Sequence, residues 1–201
     1  MRKLIVGSFI TLDGVMQAPG GPEEDREGGF EHGGWSFGYW DEQMQNVMGE
    51  WMSQPFELLL GRKTYEIFAA HWPNTDEPPA ELFNSITKYV ASTTLKDLEW
   101  ENSQLIEGDV ADGIRALKQE EGPDLSVQGS GNLIQTLLQH GLVDEFRLMI
   151  FPLVLGTGKR LFDGGTMPDG LEVDNAQTSS TGVLIATYRP GAEIKYGSFA
   201  D

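Results

Sequence analysis

The 201-residue chain carries 14 lysines and arginines against 31 aspartates and glutamates, which gives a formal net charge of −17. This charge disfavours binding to nucleic acid or to an anionic membrane, because both need a basic surface. The chain has no cysteine, which excludes disulfides, thiolate metal sites and a cysteine nucleophile, and its 39% of apolar residues is enough for a hydrophobic core.

The first predicted element is a buried strand over residues 3–10, a short apolar run that polar Ser8 interrupts. It is too short and too polar for a signal peptide, and no run approaches the roughly 18 apolar residues of a membrane span. We therefore expect a cytoplasmic protein. The three histidines, His32, His71 and His140, are far apart in the sequence, so no metal site is expected.

Residues 17–38 form the most biased segment, with seven glycines and two prolines. A long loop inside a compact domain is often functional. Two interpretations stay open: a mobile surface loop with anchoring aromatics, or a loop that covers or lines a binding site. In the second, Trp35, Tyr39 and Trp40 are candidates for stacking on a substrate.

Apolar residues at helical spacing follow, namely Met44, Val47, Met48, Trp51 and Met52, and they predict a core-facing helix. Asp41 precedes this helix. Its carboxylate has two equally good interpretations, as a helix cap or as a tentative catalytic acid that reaches into the pocket. Met44 and Met48 are ordinary core residues in one interpretation and the wall of a flat-ring pocket in the other.

Strands and helices then alternate, which is typical of an α/β fold with a mostly parallel sheet. A tight turn at 179–182 predicts an antiparallel hairpin at the C-terminal edge of that sheet. We expect one domain over residues 1–190 and a tail over 191–201. The further predicted strands are 56–60, 88–92, 104–106, 125–128, 143–151, 171–178 and 182–188, and the helices are 64–70, one capped by Asp109, and one carrying Leu133 to Leu138 that ends at Gly141.

Three turns at the carboxyl ends of predicted strands could bind phosphate: Gly61-Arg62-Lys63-Thr64, Ser92-Thr93-Thr94 and Gly129-Ser130-Gly131-Asn132. Each alone is ambiguous, because glycines and hydroxyls also form ordinary turns. Ligands of open parallel sheets bind outside the carboxyl ends of the strands. Together the turns suit an extended phosphorylated ligand such as a dinucleotide.

The run from Gly61 to Glu66 resembles the matching segment of dihydrofolate reductases. The opening LIVGSFITLDGV and the segment 142–162 resemble the reductase domain of riboflavin-biosynthesis enzymes, the RibD C-terminal domain type. The resemblance covers roughly residues 2–189, and stand-alone bacterial members of this type are the most similar group. It implies a dihydrofolate-reductase-like fold, NADPH as cofactor and a homodimer, in which the strand 143–151 and the edge hairpin could pair or pack across a two-fold axis.

Carried over by position, the resemblance assigns the cofactor to the three turns and to the segment after the first strand. The residues around the phosphates are Gly61, Arg62, Lys63, Thr64, Gly129, Ser130, Gly131, Asn132 and Leu133. Ser92 and Thr93 lie on the adenosine side, and Asp13 and Gly14 near the nicotinamide.

One departure from the family pattern affects the expected activity. Dihydrofolate reductases carry a carboxylate on the first helix, and the matching position here falls near Met44 or Gln45. We therefore expect an NADPH-dependent reductase of a small, heterocyclic or related substrate, with a catalytically silent ligand-binding module as the alternative.

A second cluster, Gly156 to Arg160, is either a structural loop or an anion site for the substrate.

Overall fold

The computed structural model describes residues 1–163, 166 and 168–199. Its strands and helices largely follow the predicted order. They are β1 (Leu4–Thr11), α1 (Glu42–Ser53), β2 (Phe56–Gly61), α2 (Arg62–His71), α3 (Pro79–Ser85), β3 (Lys88–Ala91), β4 (Ser103–Leu105), α4 (Val110–Gln119), β5 (Asp124–Gln128), α5 (Gly131–Gln139), β6 (Glu145–Phe151), β7 (Gly170–Thr178) and β8 (Leu184–Ala192).

Among the described residues, eight strands form one sheet in the order β4-β3-β2-β5-β1-β6-β8-β7. The strands from β4 to β6 pair in parallel, and β8 and β7 extend the sheet in antiparallel fashion. The predicted fold class, a mostly parallel α/β sheet with an antiparallel C-terminal hairpin, is therefore confirmed.

Helices α4 and α5 cover one face of the sheet, and α1, α2 and α3 cover the other. On the second face the apolar side chains form two separate clusters. One joins α1 to β6 and β8, around Met44 and Phe151, and the other joins α2 and α3 to β2 and β3, around Leu58 and Phe83. Neither cluster includes a residue of β5, the strand between β1 and β2, so this part of the sheet is left for a cavity.

The predicted boundaries differ from the structure in several places. Helix α2 begins at Arg62, so two basic residues lie in its first turn. Helix α3 was not predicted, because proline-rich segments favour loops, yet Pro79 stands in a first turn, where its missing N–H costs nothing. Strand β6 begins at Glu145, and β8 continues to Ala192.

For a dimer in which the strand 143–151 and the edge hairpin pair or pack across a two-fold axis, the structure rules out edge pairing only by the strand 143–151 itself. Both edges of β6 are occupied within the chain, by β1 on one side and β8 on the other. The hydrogen-bonding edge open at this end of the sheet belongs to β7.

In the part of the chain that the structure describes, no helix is both long and apolar enough to span a bilayer.

Candidate functional site

A cavity of about 1230 Å³ opens on the uncovered part of the sheet, above β5 and β1 and between α1 and α2. Pockets for a single small ligand usually measure about 300–1,000 Å³. This cavity therefore has room for a large ligand together with a second, smaller molecule.

The turns after β2 and β5 lie side by side at one end of the cavity and are hydrogen-bonded to each other. The Ser130 hydroxyl accepts a hydrogen bond from the Gly61 N–H at 2.9 Å, and the Ser130 N–H donates to Thr64 Oγ1 at 2.8 Å. A Cβ on Gly129 would lie only 2.9 Å from Thr64 Oγ1, so a glycine is needed for this approach. The hydroxyls of Thr64 and Ser130 thus fix the two turns against each other.

Both turns lead into helices whose first N–H groups receive no side-chain cap. The N-cap of α2 is Gly61, which has no side chain. The N-cap of α5 is Ser130, which has a left-handed φ of 58° and whose hydroxyl does not bond the helix backbone. By contrast, Asp41 caps α1 and Asp109 caps α4 through side-chain hydrogen bonds. Free N–H groups and the helix dipole make the two uncapped ends favourable positions for an anion.

The third turn, after β3, also lines the cavity. The Ser92 hydroxyl accepts hydrogen bonds from the Thr94 N–H at 3.2 Å and the Leu95 N–H at 3.0 Å, so it closes the turn. The structure therefore brings all three predicted turns, at residues 61–64, 92–94 and 129–133, to one cavity.

Two lysines of the cavity wall are bridged by a carboxylate of the glycine-rich loop. Glu27 lies 3.1 Å from Lys63 Nζ and 2.6 Å from Lys159 Nζ, and Lys159 also contacts Asp25 at 2.6 Å. Hydrogen bonds from Lys159 and Lys63 lower the pKa of Glu27 to about 2. The loop is therefore attached to the cavity wall by charge, and the interpretation of 17–38 as a segment that lines a site agrees with its position.

The floor of the cavity carries polar side chains that the sequence analysis did not single out. Gln128 on β5, Gly7 on β1 and Arg147 on β6 are direct neighbours in register, forming one row across the sheet. A Cβ on Gly7 would lie 3.2 Å from Gln128 Nε2, so the glycine lets the Gln128 amide lie over the middle of the row. In the sequence, the signal that could have indicated this floor is the presence of polar residues at alternate positions of otherwise buried strands.

Aromatic and thioether side chains form the walls and roof. Trp40 packs against Phe9 with ring centroids 5.8 Å apart, and Met48 and Trp51 of α1 face the same space. Of the predicted pocket residues, Trp40 and Met48 thus line the cavity. Further lining residues that were not predicted for this role are Phe9, Trp51, Met52, Phe56, Phe68 and Trp72.

Other predicted pocket residues lie elsewhere. Trp35 and Tyr39 pack edge-on against Phe151, at centroid distances of 5.1 and 5.8 Å, in the cluster between α1 and the sheet. Met44 is fully buried in the same cluster. These three residues hold α1 and the loop in place and are not among the residues that line the cavity.

Asp41 is likewise not among the lining residues, and both of its oxygens are engaged. Oδ1 accepts the Met44 N–H at 2.9 Å, and Oδ2 accepts the N–H and hydroxyl of Ser180 at 2.8 and 2.6 Å. The Ser180 hydroxyl is the first cause of its lowered pKa. Asp41 thus joins α1 to the turn between β7 and β8, and the structure shows its capping role.

The segment after β1 is also occupied by structural contacts. Asp13 accepts hydrogen bonds from Thr11 Oγ1 at 2.5 Å and from the N–H groups of Leu155 and Gly156, and its pKa is lowered to about 2, first by Thr11. The Gly14 carbonyl accepts the Leu161 N–H at 3.0 Å. Neither Asp13 nor Gly14 is among the residues that line the cavity.

No group of three or more metal-ligating side chains occurs among the described residues.

Comparison with known proteins points to one family and one fold. The family model of the RibD C-terminal domain matches residues 2–185. Among curated proteins, YyaP of Bacillus subtilis (strain 168), itself uncharacterized, is 30% identical over 194 residues, which covers 93% of this chain and 94% of that protein. The uncharacterized protein YwjB of the same organism is 25% identical over 167 residues, covering 80% and 83%.

Solved structures with 21% identity or less share the fold. A pyrimidine reductase-like protein from Corynebacterium diphtheriae NCTC matches with a TM-score of 0.61 and 12% identity, covering 96% of this chain and 93% of that one. Dihydrofolate reductase from Enterococcus faecalis, solved with NADP(H), matches with a TM-score of 0.58 and 13% identity, covering 94% and 97%. A candidate riboflavin biosynthesis protein from Shewanella sp. PV-4 matches with a TM-score of 0.67 and 21% identity, covering 94% and 99%.

Proposed function

Since the chain belongs to the RibD C-terminal domain family, a reductase-type family, we propose that it is an NADPH-dependent reductase that transfers hydride to a small, flat substrate such as a heterocycle. The observation that carries this proposal is the convergence of two uncapped helix N-termini on one large cavity. The solved dihydrofolate reductase with NADP(H) shares the fold and supports the choice of cofactor.

The residues at this end of the cavity fit a pyrophosphate and a further phosphate. The N-termini of α2 and α5 lie side by side, because the two turns are hydrogen-bonded together, so one phosphate group could accept from both. Arg62 and Lys63, in the first turn of α2, add two cations to a protein that is otherwise strongly acidic. The turn at Ser92 and Thr93 would lie on the adenosine side.

When bound, NADPH supplies the hydride. The protein's part is to bind the phosphates, to orient two flat groups against each other and to exclude water. Phe9, Trp40 and Trp51 provide flat apolar surfaces along the cavity, and residues 16–20 of the loop close its side next to Gly131.

The alternative function is a ligand-binding module without turnover. One observation favours it: α1 presents Met48, Trp51 and Met52 to the cavity, and none of these side chains can donate a proton. The two functions differ in one measurement, the oxidation of bound NADPH in the presence of candidate substrates.

The proposal is tested by titrating the full-length protein with NADPH and following tryptophan fluorescence. We expect saturable binding, and Lys63→Ala should weaken it by about tenfold or more, because a charged hydrogen bond to phosphate contributes roughly 1.5–3 kcal/mol. The matched control is Arg115→Ala, which removes an exposed cation of α4 that pairs with Asp112 and does not line the cavity. The absence of binding at about millimolar NADPH, or an equal loss in both variants, would contradict the proposal.

A further inference from the structure

The inner end of the cavity floor holds a guanidinium that the cofactor site does not use. Arg147 of β6 lines the cavity, and its side chain is 21% exposed. It follows Gly7 in the row across the sheet, and the Gln128 amide lies over Gly7. The ring of Trp51 lies above it, with its centroid 5.9 Å from the guanidinium carbon.

The hydrogen-bonding capacity of this guanidinium is largely unused. Within the described residues, its recorded hydrogen bond runs from Nε to Glu145 Oε1 at 2.7 Å. A guanidinium carries five N–H donors, so the two terminal nitrogens keep their four. The bond to Glu145 fixes the plane of the group and holds these donors in one orientation.

The carboxylate of Glu145 does not pair with Arg147 alone. The other oxygen of Glu145 contacts Lys3 Nζ at 3.4 Å, so one carboxylate is shared by two cations. Asp124, at the start of β5, accepts a hydrogen bond from the Lys3 N–H. On the other side of Gly7, Gln128 and Ser126 are neutral and hydrogen-bonded to each other at 3.2 Å.

From this geometry we infer that Arg147 forms a subsite for an oxyanion, a carboxylate or a phosphate, carried by a flat ring that binds in the cavity beside Trp51. This inference rests on the proposed function, because it takes the bound ring to be the hydride acceptor. Arg147 is then the residue that selects anionic substrates over neutral ones, since planar bidentate pairing to an oxyanion is the preferred contact of a guanidinium.

The test uses the full-length protein and three aromatic probes: benzoate, its neutral isostere benzamide, and phenyl phosphate. Binding is followed by tryptophan fluorescence, to which Trp51 contributes. We expect benzoate or phenyl phosphate to bind at least about tenfold more tightly than benzamide. Whichever anion binds more tightly identifies the oxyanion as carboxylate or phosphate.

Arg147→Gln is expected to remove the preference for the anionic probe, and Arg147→Lys to keep part of it. The control is Arg189→Gln, which neutralises a cation of β8 that pairs with Asp174 and does not line the cavity. Thermal unfolding of each variant confirms that it is folded.

Three results would overturn the inference: equal or undetectable binding of benzoate, phenyl phosphate and benzamide, a preference that survives in Arg147→Gln, or a preference lost in Lys63→Gln instead, which would place the anion at the cofactor turns. NADPH binding, measured separately, keeps the two proposals apart. If the unaltered protein binds NADPH but shows no preference for the anionic probes, only this inference is defeated. If it prefers the anionic probes but does not bind NADPH, only the proposed cofactor is defeated.

Discussion

Glu27 connects the glycine-rich loop to two cations that would otherwise face a phosphate. Its carboxylate contacts Lys63 and Lys159 together, while Asp25 contacts Lys159 from the same loop. A phosphorylated ligand at the α2 N-terminus therefore competes with Glu27 for Lys63. The loop should change position, or at least its charge pairing, when such a ligand binds.

Replacing Glu27 by glutamine is expected to tighten NADPH binding by a few-fold. The variant removes a competing negative charge and frees Lys63 for phosphate, while Lys159 keeps its pair with Asp25. The measurement is the dissociation constant of NADPH at low ionic strength, where exposed charges are least screened.

The matched control for this prediction is Glu23→Gln on the same loop, which loses only an exposed pair with Arg26. Because the pKa of Glu27 is lowered to about 2, its pairing contributes stability above the ordinary carboxyl pKa and is lost as the pH falls towards 2. The difference in the free energy of unfolding between Glu27→Gln and the unaltered protein should thus be constant from about pH 8 to 5. Equal NADPH affinity in the Glu27 and Glu23 variants would disprove the competition.

At the scale of elements, α2 and α5 form one unit with the turns that precede them. Thr64, in the first turn of α2, accepts the N–H of Ser130, and Ser130 in turn accepts the N–H of Gly61. The hydroxyls that the sequence suggested as phosphate ligands thus also fix the relative position of two helix N-termini. A stable arrangement of this kind reduces the entropy lost when a ligand binds.

Gly129→Ala tests this unit. Its φ of +54° costs an alanine about 1–2 kcal/mol, and the added Cβ would lie 2.9 Å from Thr64 Oγ1, which adds about 1–3 kcal/mol of overpacking. Gly141→Ala is the control, because Gly141 has a similar φ of +58° with nothing within 4 Å of the added Cβ. Chemical denaturation should show the larger loss for Gly129→Ala, and equal losses would mean that the turns are not tightly packed.

At the scale of the molecule, the order of the strands decides where a ligand can bind. The two apolar clusters on the α1 side are centred on different parts of the sheet, and β5 and the start of β1 are left between them. The same order places β6 in the interior and β7 at an edge. A dimer, which the family resemblance implies, would have to use β7 or the surface of the sheet and helices.

We expect sedimentation velocity to give a species of twice the 22.2 kDa chain mass. The exposed residues of β7, among them Val173, would contribute to the interface, although Glu172 and Asp174 oppose simple edge pairing. A single 22.2 kDa species over a wide range of concentrations would contradict the dimer.

The single domain over residues 1–190 also stays a prediction. One cooperative unfolding transition of the whole chain would support it.

Local features of this fold could be derived from the sequence because their causes are local. The stripe from Met44 to Met52 fixed the face of α1, and the carboxylates of Asp41 and Asp109 marked two helix starts. Strand ends followed by glycine indicated the turns at 61 and 129. These patterns depend on periodicity, capping and turn chemistry, which involve residues only a few positions apart.

Only the tertiary structure decided which residues share the cavity, because that depends on strand order and register. It placed Gly7 between Gln128 and Arg147, although both lie more than a hundred positions from Gly7 in the sequence. It brought Ser180 to Asp41 and Phe151 to Trp35, which turned two candidate site residues into structural ones. Long-range pairing leaves no signature in a single sequence beyond an unexplained polar residue in a buried strand.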